Sequence, residues 1–136
     1  MNILLNINNF GDDFAYDCLK EVLYPGRKVL IIPFSYHEDW IRNEWEFDLH
    51  YAKGREEYEE IAGEFMKYGI ARRDIRVLHY YRDSARTARN KIFHADILFL
   101  TGGYPGQFLY RIDRKGIRKA IQKFRGVVMG TSAGAM

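Results

Sequence analysis

Short apolar blocks alternate along the chain with longer stretches whose apolar residues recur every three or four positions. Four blocks are continuous: NILLNI at 2–7, KVLIIPF at 28–34, DILFLT at 96–101 and GVVMG at 126–130. Unbroken runs of that length predict strands buried on both faces, the condition of a parallel sheet. A fifth block, DIRVLHY at 74–80, is more polar and predicts a strand nearer an edge. Between the blocks lie helical spacings. Asp12 or Asp13 is placed to cap a helix with Phe14, Cys18, Leu19 and Val22 along one side, closed by YPG at 24–26. REEYEEIAGEFMKYG at 55–69 sets Tyr58, Ile61, Ala62, Phe65 and Met66 on one helical face, with Gly69 as candidate C-cap. SARTARNKIFHA at 84–95 and RKGIRKAIQKF at 114–124 fill the remaining gaps as helical segments. Strand alternating with helix throughout predicts one α/β domain over 1–136, a three-layer sandwich around a mainly parallel sheet of about five strands.

One stretch exceeds what that ladder needs. HEDWIRNEWEFDLHYAKG at 37–54 mixes Trp40, Trp45, Phe47, Leu49 and Tyr51 with charges. Amphipathic aromatics of this size suit an additional helix packed on the domain, a contact in a homodimer, or the flank of a substrate site.

Composition narrows the classes. With 47% apolar and 29% charged residues the 136-residue chain is globular. No run approaches the ~20 apolar residues of a membrane helix. MNILLNINNF lacks the basic flank of a secretory leader, so no membrane partner and a cytoplasmic location are the default expectations. Cys18 stands alone, which leaves no internal disulfide and no cysteine metal cage. A net charge of +3, with arginines scattered from Arg72 to Arg89, predicts a solvated surface and no nucleic acid partner.

The chemistry sits near residue 130. GTSAG at 130–134 has the G-x-S-x-G spacing of a nucleophile elbow and follows the apolar VVM strand. Its physics needs glycines: a serine on a sharp strand-to-helix turn, at positive φ, leaves no room for side chains at Gly130 and Gly134. Ser132 is then the candidate nucleophile, and the N–H of Ala133 a candidate oxyanion donor at the start of a helix. LTGGYPGQF at 100–108 follows the preceding strand and so reaches the same C-terminal sheet edge, where ligands of open parallel sheets bind. The N–H groups of Gly102 and Gly103 are candidates for the second donor. The loop is also compatible with a plain βα turn or a phosphate nest. It has neither G-x-G-x-x-G nor Gly-Lys-Ser/Thr, so no cofactor is implied.

These residues resemble the serine peptidases of the aspartyl dipeptidase (peptidase E) and cyanophycinase family. The likeness runs from NNF through GRKVLIIPFS and ADILFLTGGYPGQFL to GVVMGTSAGAM. It implies a flavodoxin-like fold akin to class I glutamine amidotransferases, an acyl-enzyme on Ser132, oxyanion donors at Ala133 and Gly103, and a short peptide substrate, with an acidic residue where the likeness holds in detail. An amidotransferase would need cysteine at 132. Where the family usually has Asn or Asp after the Gly-Gly pair, Tyr104-Pro105-Gly106 follows, with Gln107 the nearest polar side chain. The family's general-base histidine and acidic partner lie after the serine. Only AGAM follows Ser132 here, which predicts a chain cut just after its elbow.

Four histidines lie upstream. His37 and His79 follow strands and are candidates for the substrate pocket with Tyr104 and Gln107; His94 is expected to be remote. Arg82 and Arg111 are conceivable partners for an acidic substrate, though solvation is the expectation for both. The alternative to a hydrolase is a non-catalytic small-molecule or interaction domain that keeps the elbow as architecture.

Overall fold

The computed structural model describes residues 1–5 and 10–131. The element order is β1 (Asn2–Leu5), α1 (Asp13–Leu19), β2 (Val29–Ile32), α2 (Glu44–Tyr51), α3 (Glu56–Met66), a 3-10 turn at Arg72–Asp74, β3 (Ile75–Val77), α4 (Ala85–Phe93), β4 (Ile97–Leu100), α5 (Pro105–Lys115), α6 (Arg118–Gln122) and β5 (Val127–Thr131). All four strand pairings are parallel, in the order β1-β5-β4-β2-β3. The expected three-layer α/β sandwich is therefore what forms, and the polar fifth block is an edge strand of three residues.

The connections explain the two layers. From β2 the chain moves outward to β3, then crosses back past β2 to β4 and on to β5. A right-handed crossover puts helices on opposite faces when its direction reverses. On one face α1 and α3 cover Val29, Ile31, Ile97, Phe99 and Met129. Its centre is aromatic: the Phe10 and Phe65 rings meet edge to face at 4.7 Å, and both approach Phe99. On the other face Ala88 and Ile92 of α4 and Phe108 and Ile112 of α5 cover Leu30, Ile32, Leu98 and Leu100. Strands β2 and β4 are buried on both faces, as their unbroken apolar runs require.

Local signals set the helix starts. The Asp12, Asn43 and Ser84 side chains accept hydrogen bonds from the N–H groups of Ala15, Glu46 and Thr87, capping α1, α2 and α4. Three expectations are corrected. Cys18 and Met66 are exposed, because α1 and α3 end there and turn these positions outward. The C-cap of α3 is Lys67 rather than Gly69. RKGIRKAIQKF is two helices, since Gly116 takes a left-handed conformation at φ 74° and stops α5. No helix among the described residues is long and apolar enough to cross a membrane.

Candidate active site

The reversal of direction at β2 and β4 opens a crevice at their C-terminal ends, the place where open α/β sheets bind ligands. Strand β5 ends beside it at Thr131. Leu100 of β4 is in register with Gly130 of β5. Thr131, the residue before Ser132, thus ends level with Thr101, the residue before Gly102. Ser132, Ala133 and the expected positive φ at Ser132 lie outside the described residues.

The Gly-Gly loop is anchored from below by a residue that sequence reasoning passed over. Ser35, fully buried just past β2, brings its Oγ within 2.8 Å of the Thr101 carbonyl, 2.7 Å of the Gly102 carbonyl and 2.9 Å of Thr101 Oγ1. The Thr101 hydroxyl can donate to Ser35, whose own proton serves one of the two carbonyls. From the other side Tyr104 N–H donates to the Ser35 carbonyl at 2.8 Å. The approach is so close that a Cβ on Gly103 would lie 2.5 Å from that carbonyl oxygen, and Gly103 has φ 146°. Only glycine fits. Among the described residues neither Gly102 N–H nor Gly103 N–H meets an acceptor.

A cavity of about 350 Å³ lies against this loop, walled by Ser35, His37, Trp40, Tyr51 and Tyr104. The His37 and Tyr104 rings meet edge to face at 5.2 Å, and His37 Nδ1 accepts from Asp39 N–H at 3.1 Å. Two pocket candidates, His37 and Tyr104, are therefore together. Gln107 is not with them: it lines a second cavity of about 370 Å³ beside Tyr80, Tyr81 and Arg111.

His79 is elsewhere again, locked in place. Its Nδ1 accepts from the N–H groups of Tyr81 and Arg82, at 3.2 and 3.1 Å, so the proton sits on Nε2, which donates to Asp48 Oδ1 at 3.0 Å. Burial lowers its pKa below the usual histidine value, against the opposing pull of Asp48. With both ring nitrogens engaged, His79 ties α2 to the end of β3. His50 pairs through Nδ1 with Glu57 at 2.9 Å, and His94 bonds to the Asn90 carbonyl at the opposite sheet edge.

Both arginine candidates are committed. Arg82 is ion-paired with Glu44 and Asp48. Arg111 corrects the expectation of a solvated side chain: it is 4% exposed, donates to the Phe34 and Tyr36 carbonyls at 2.7 and 2.6 Å, and lies 3.6 Å from the Tyr36 ring centroid. The Tyr36 hydroxyl is pushed upward in pKa, mainly by burial. Sequence offered one signal for Ser35, a polar residue closing a central strand; for Arg111 and Asp48 it offered none.

Residues 50–136 match the model of peptidase family S51. A search of curated proteins gave no match. The 1.5 Å crystal structure of a protein from Listeria monocytogenes EGD-e, provisionally described as peptidase E, superposes with a TM-score of 0.67 at 20% identity. That alignment covers 98% of this chain and 60% of the other, so the present chain spans less than two thirds of its structural relative.

Proposed function

This chain belongs to peptidase family S51, and we propose that it carries the nucleophile of a serine-type peptidase that cleaves a short peptide through an acyl-enzyme on Ser132. Ser132 Oγ would attack the scissile carbonyl, its proton passing to a general base; the carbonyl oxygen, now negative, would be held by the N–H of Ala133 and that of Gly103 or Gly102. Collapse of the tetrahedral species releases the amine, and water then cleaves the ester. The observation that carries this reading is the Ser35-pinned Gly-Gly loop, with two backbone N–H groups free of acceptors among the described residues beside the strand that leads to Ser132. Rigid donors of this kind are worth most where charge develops, because they need not reorganise during the reaction.

His79 and His50 are held by carboxylates, and His94 lies at the far edge. The general base and its acidic partner are proposed to come from outside residues 1–136, in line with the 60% of its structural relative that the chain spans. Among the described residues the cavity beside the loop is walled by aromatic rings and holds His37 but no lysine or arginine, so of these residues His37 is the one that could take a positive charge toward an acidic substrate residue. The test is reaction of the full-length protein with a serine-directed phosphonate, read by intact mass and peptide mapping. One adduct on Ser132, lost in Ser132→Ala, is the expected result. No adduct, or an equal one in the variant, overturns the proposal.

A further inference from the structure

We infer that a second binding site, for a phosphate-bearing nucleotide ligand, lies at the N-terminal edge of the sheet, between α4 and α6. A cavity of about 1050 Å³ opens there, across the sheet from the Gly-Gly loop. Its wall carries Arg27, Arg86, Arg89, Lys123 and Arg125 against a single carboxylate, Asp96, and Asp96 already accepts the Lys28 N–H at 2.9 Å. One cleft therefore holds more positive charge than the +3 of the whole chain. The sequence scatters these residues over about a hundred positions; the fold gathers them, because the start of β2, the helix α4 and the approach to β5 all meet at this edge.

Three features favour phosphate with a flat ring over other anions. Four of the five cations are arginines, whose planar forks bind phosphate oxygens in pairs. Arg42, Arg72 and Arg118 are neutralised by Glu46, Glu59 and Asp113; Arg86, Lys123 and Arg125 have no carboxylate partner among the described residues, a state that single arginines such as Arg55 and Arg114 share but that is concentrated in this cleft. On the same rim Phe93 is 82% exposed, the most exposed of the large apolar side chains, next to the amide of Asn90. A ring held in water beside unpaired arginines is a stacking platform for a base whose phosphates the arginines neutralise. A second cavity of about 390 Å³ shares Thr87, Asn90 and Ala95 and is lined by Arg73 and Arg76 beside Asp74, with Lys91 held by Asp83.

The test is fluorescence anisotropy of the full-length protein with labelled dT12, with ATP and labelled polyglutamate as further probes, at 100 and 300 mM salt. Binding of dT12 or ATP with Kd below ~100 µM at the lower salt, roughly tenfold weaker at the higher, is expected. The Arg86→Ala/Arg125→Ala pair should weaken it at least ~10-fold, and Phe93→Ala about 5-fold or more. The pair Arg55→Ala/Arg114→Ala, which removes the same charge elsewhere, should change it less than about 3-fold. Retention of dT12 but not ATP assigns the site to a nucleic acid strand, and the reverse to a free nucleotide. No binding of either, equal loss in the control pair, or polyglutamate bound as tightly overturns the inference. Ser132→Ala should leave binding unchanged, so this outcome is independent of the peptidase reading.

Discussion

Gly103 and Ser35 are a matched pair: the hydroxyl and the carbonyl of one residue hold a loop that only a residue without Cβ can bring so near. Gly103→Ala should destabilise the protein by about 2 kcal/mol, from the steric clash and the left-handed φ. If the loop N–H groups hold the oxyanion, the same variant of the full-length enzyme should lose about 100-fold in kcat/KM. Thermal denaturation and peptidase assays read the two effects separately, and wild-type kcat/KM in a destabilised variant would detach the loop from catalysis. His79 makes a pH prediction. Its pKa is depressed in the folded chain, so below the ordinary value of 6.5 the unfolded state takes up the proton first. Stability is then full above about pH 6.5 and falls on acidification through the folded pKa. His79→Asn keeps an acceptor near the Tyr81 and Arg82 N–H groups and loses the bond to Asp48, which should cost about 1–2 kcal/mol at pH 7.5. That gap should narrow at pH 5.5 in urea titrations; a constant or widening gap would show that His79 is not held neutral.

At the scale of elements, the aromatic segment 37–54 splits into two kinds of residue. Phe47 and Tyr51 of α2 are buried with Tyr36 and Ile41 in a small cluster of their own, while Trp40 and Trp45 are 47% and 68% exposed. The expected additional helix therefore forms, and of the segment's four aromatics Trp40, Trp45, Phe47 and Tyr51 only the last two dock it. Phe47→Ala should cost about 3–5 kcal/mol, and Trp45→Ser should be close to neutral in the monomer. Equal losses in denaturant titrations would mean that Trp45 is covered in solution, as in a dimer. The pattern 44–51 shows why sequence could not sort these residues: EWEFDLHY alternates large apolar and charged side chains at a spacing that defines no single apolar face. Where the face is clean, as in α3, periodicity found the buried Tyr58, Ile61, Ala62 and Phe65 and erred only at Met66, where the helix ends. Strand identity was legible for the same reason, since two-faced burial leaves an unbroken apolar run. The supports of the site were not. Arg111 and Asp48 act through partners 31 to 77 residues away, and no local pattern encodes a contact of that span; for Ser35, a polar residue closing a central strand, sequence marks the residue but not its partners.

For the whole molecule, strand order decides how the chain's first residues bear on its last described ones. Strand β1 opens the sequence and, among the described residues, pairs only with β5, near the other end of the chain. Asn2 to Leu5 run in register with Val128 to Thr131, Val128 N–H donates to the Met1 carbonyl at 2.8 Å, and the Met1 amine reaches the Gly126 carbonyl. Sequence could show five strands but not this adjacency, because parallel pairing by itself leaves order open. The consequence is that the strand leading to Ser132 is interior only while β1 is in place. Deleting residues 1–5 leaves β5 an edge, with one row of its backbone groups turned to water. Edge amides open by local unfolding at lower cost than central ones. In hydrogen exchange of the truncated full-length protein, 127–131 should therefore lose protection by about 10-fold or more, while β2 and β4, still flanked on both sides, keep theirs. If Ser132 is the nucleophile proposed above, its phosphonate labelling should slow in parallel, because it directly follows that strand. Uniform loss of protection across all five strands would instead mean that β1 is part of one cooperative unit; unchanged exchange in β5 would remove the link between the N-terminal strand and the elbow.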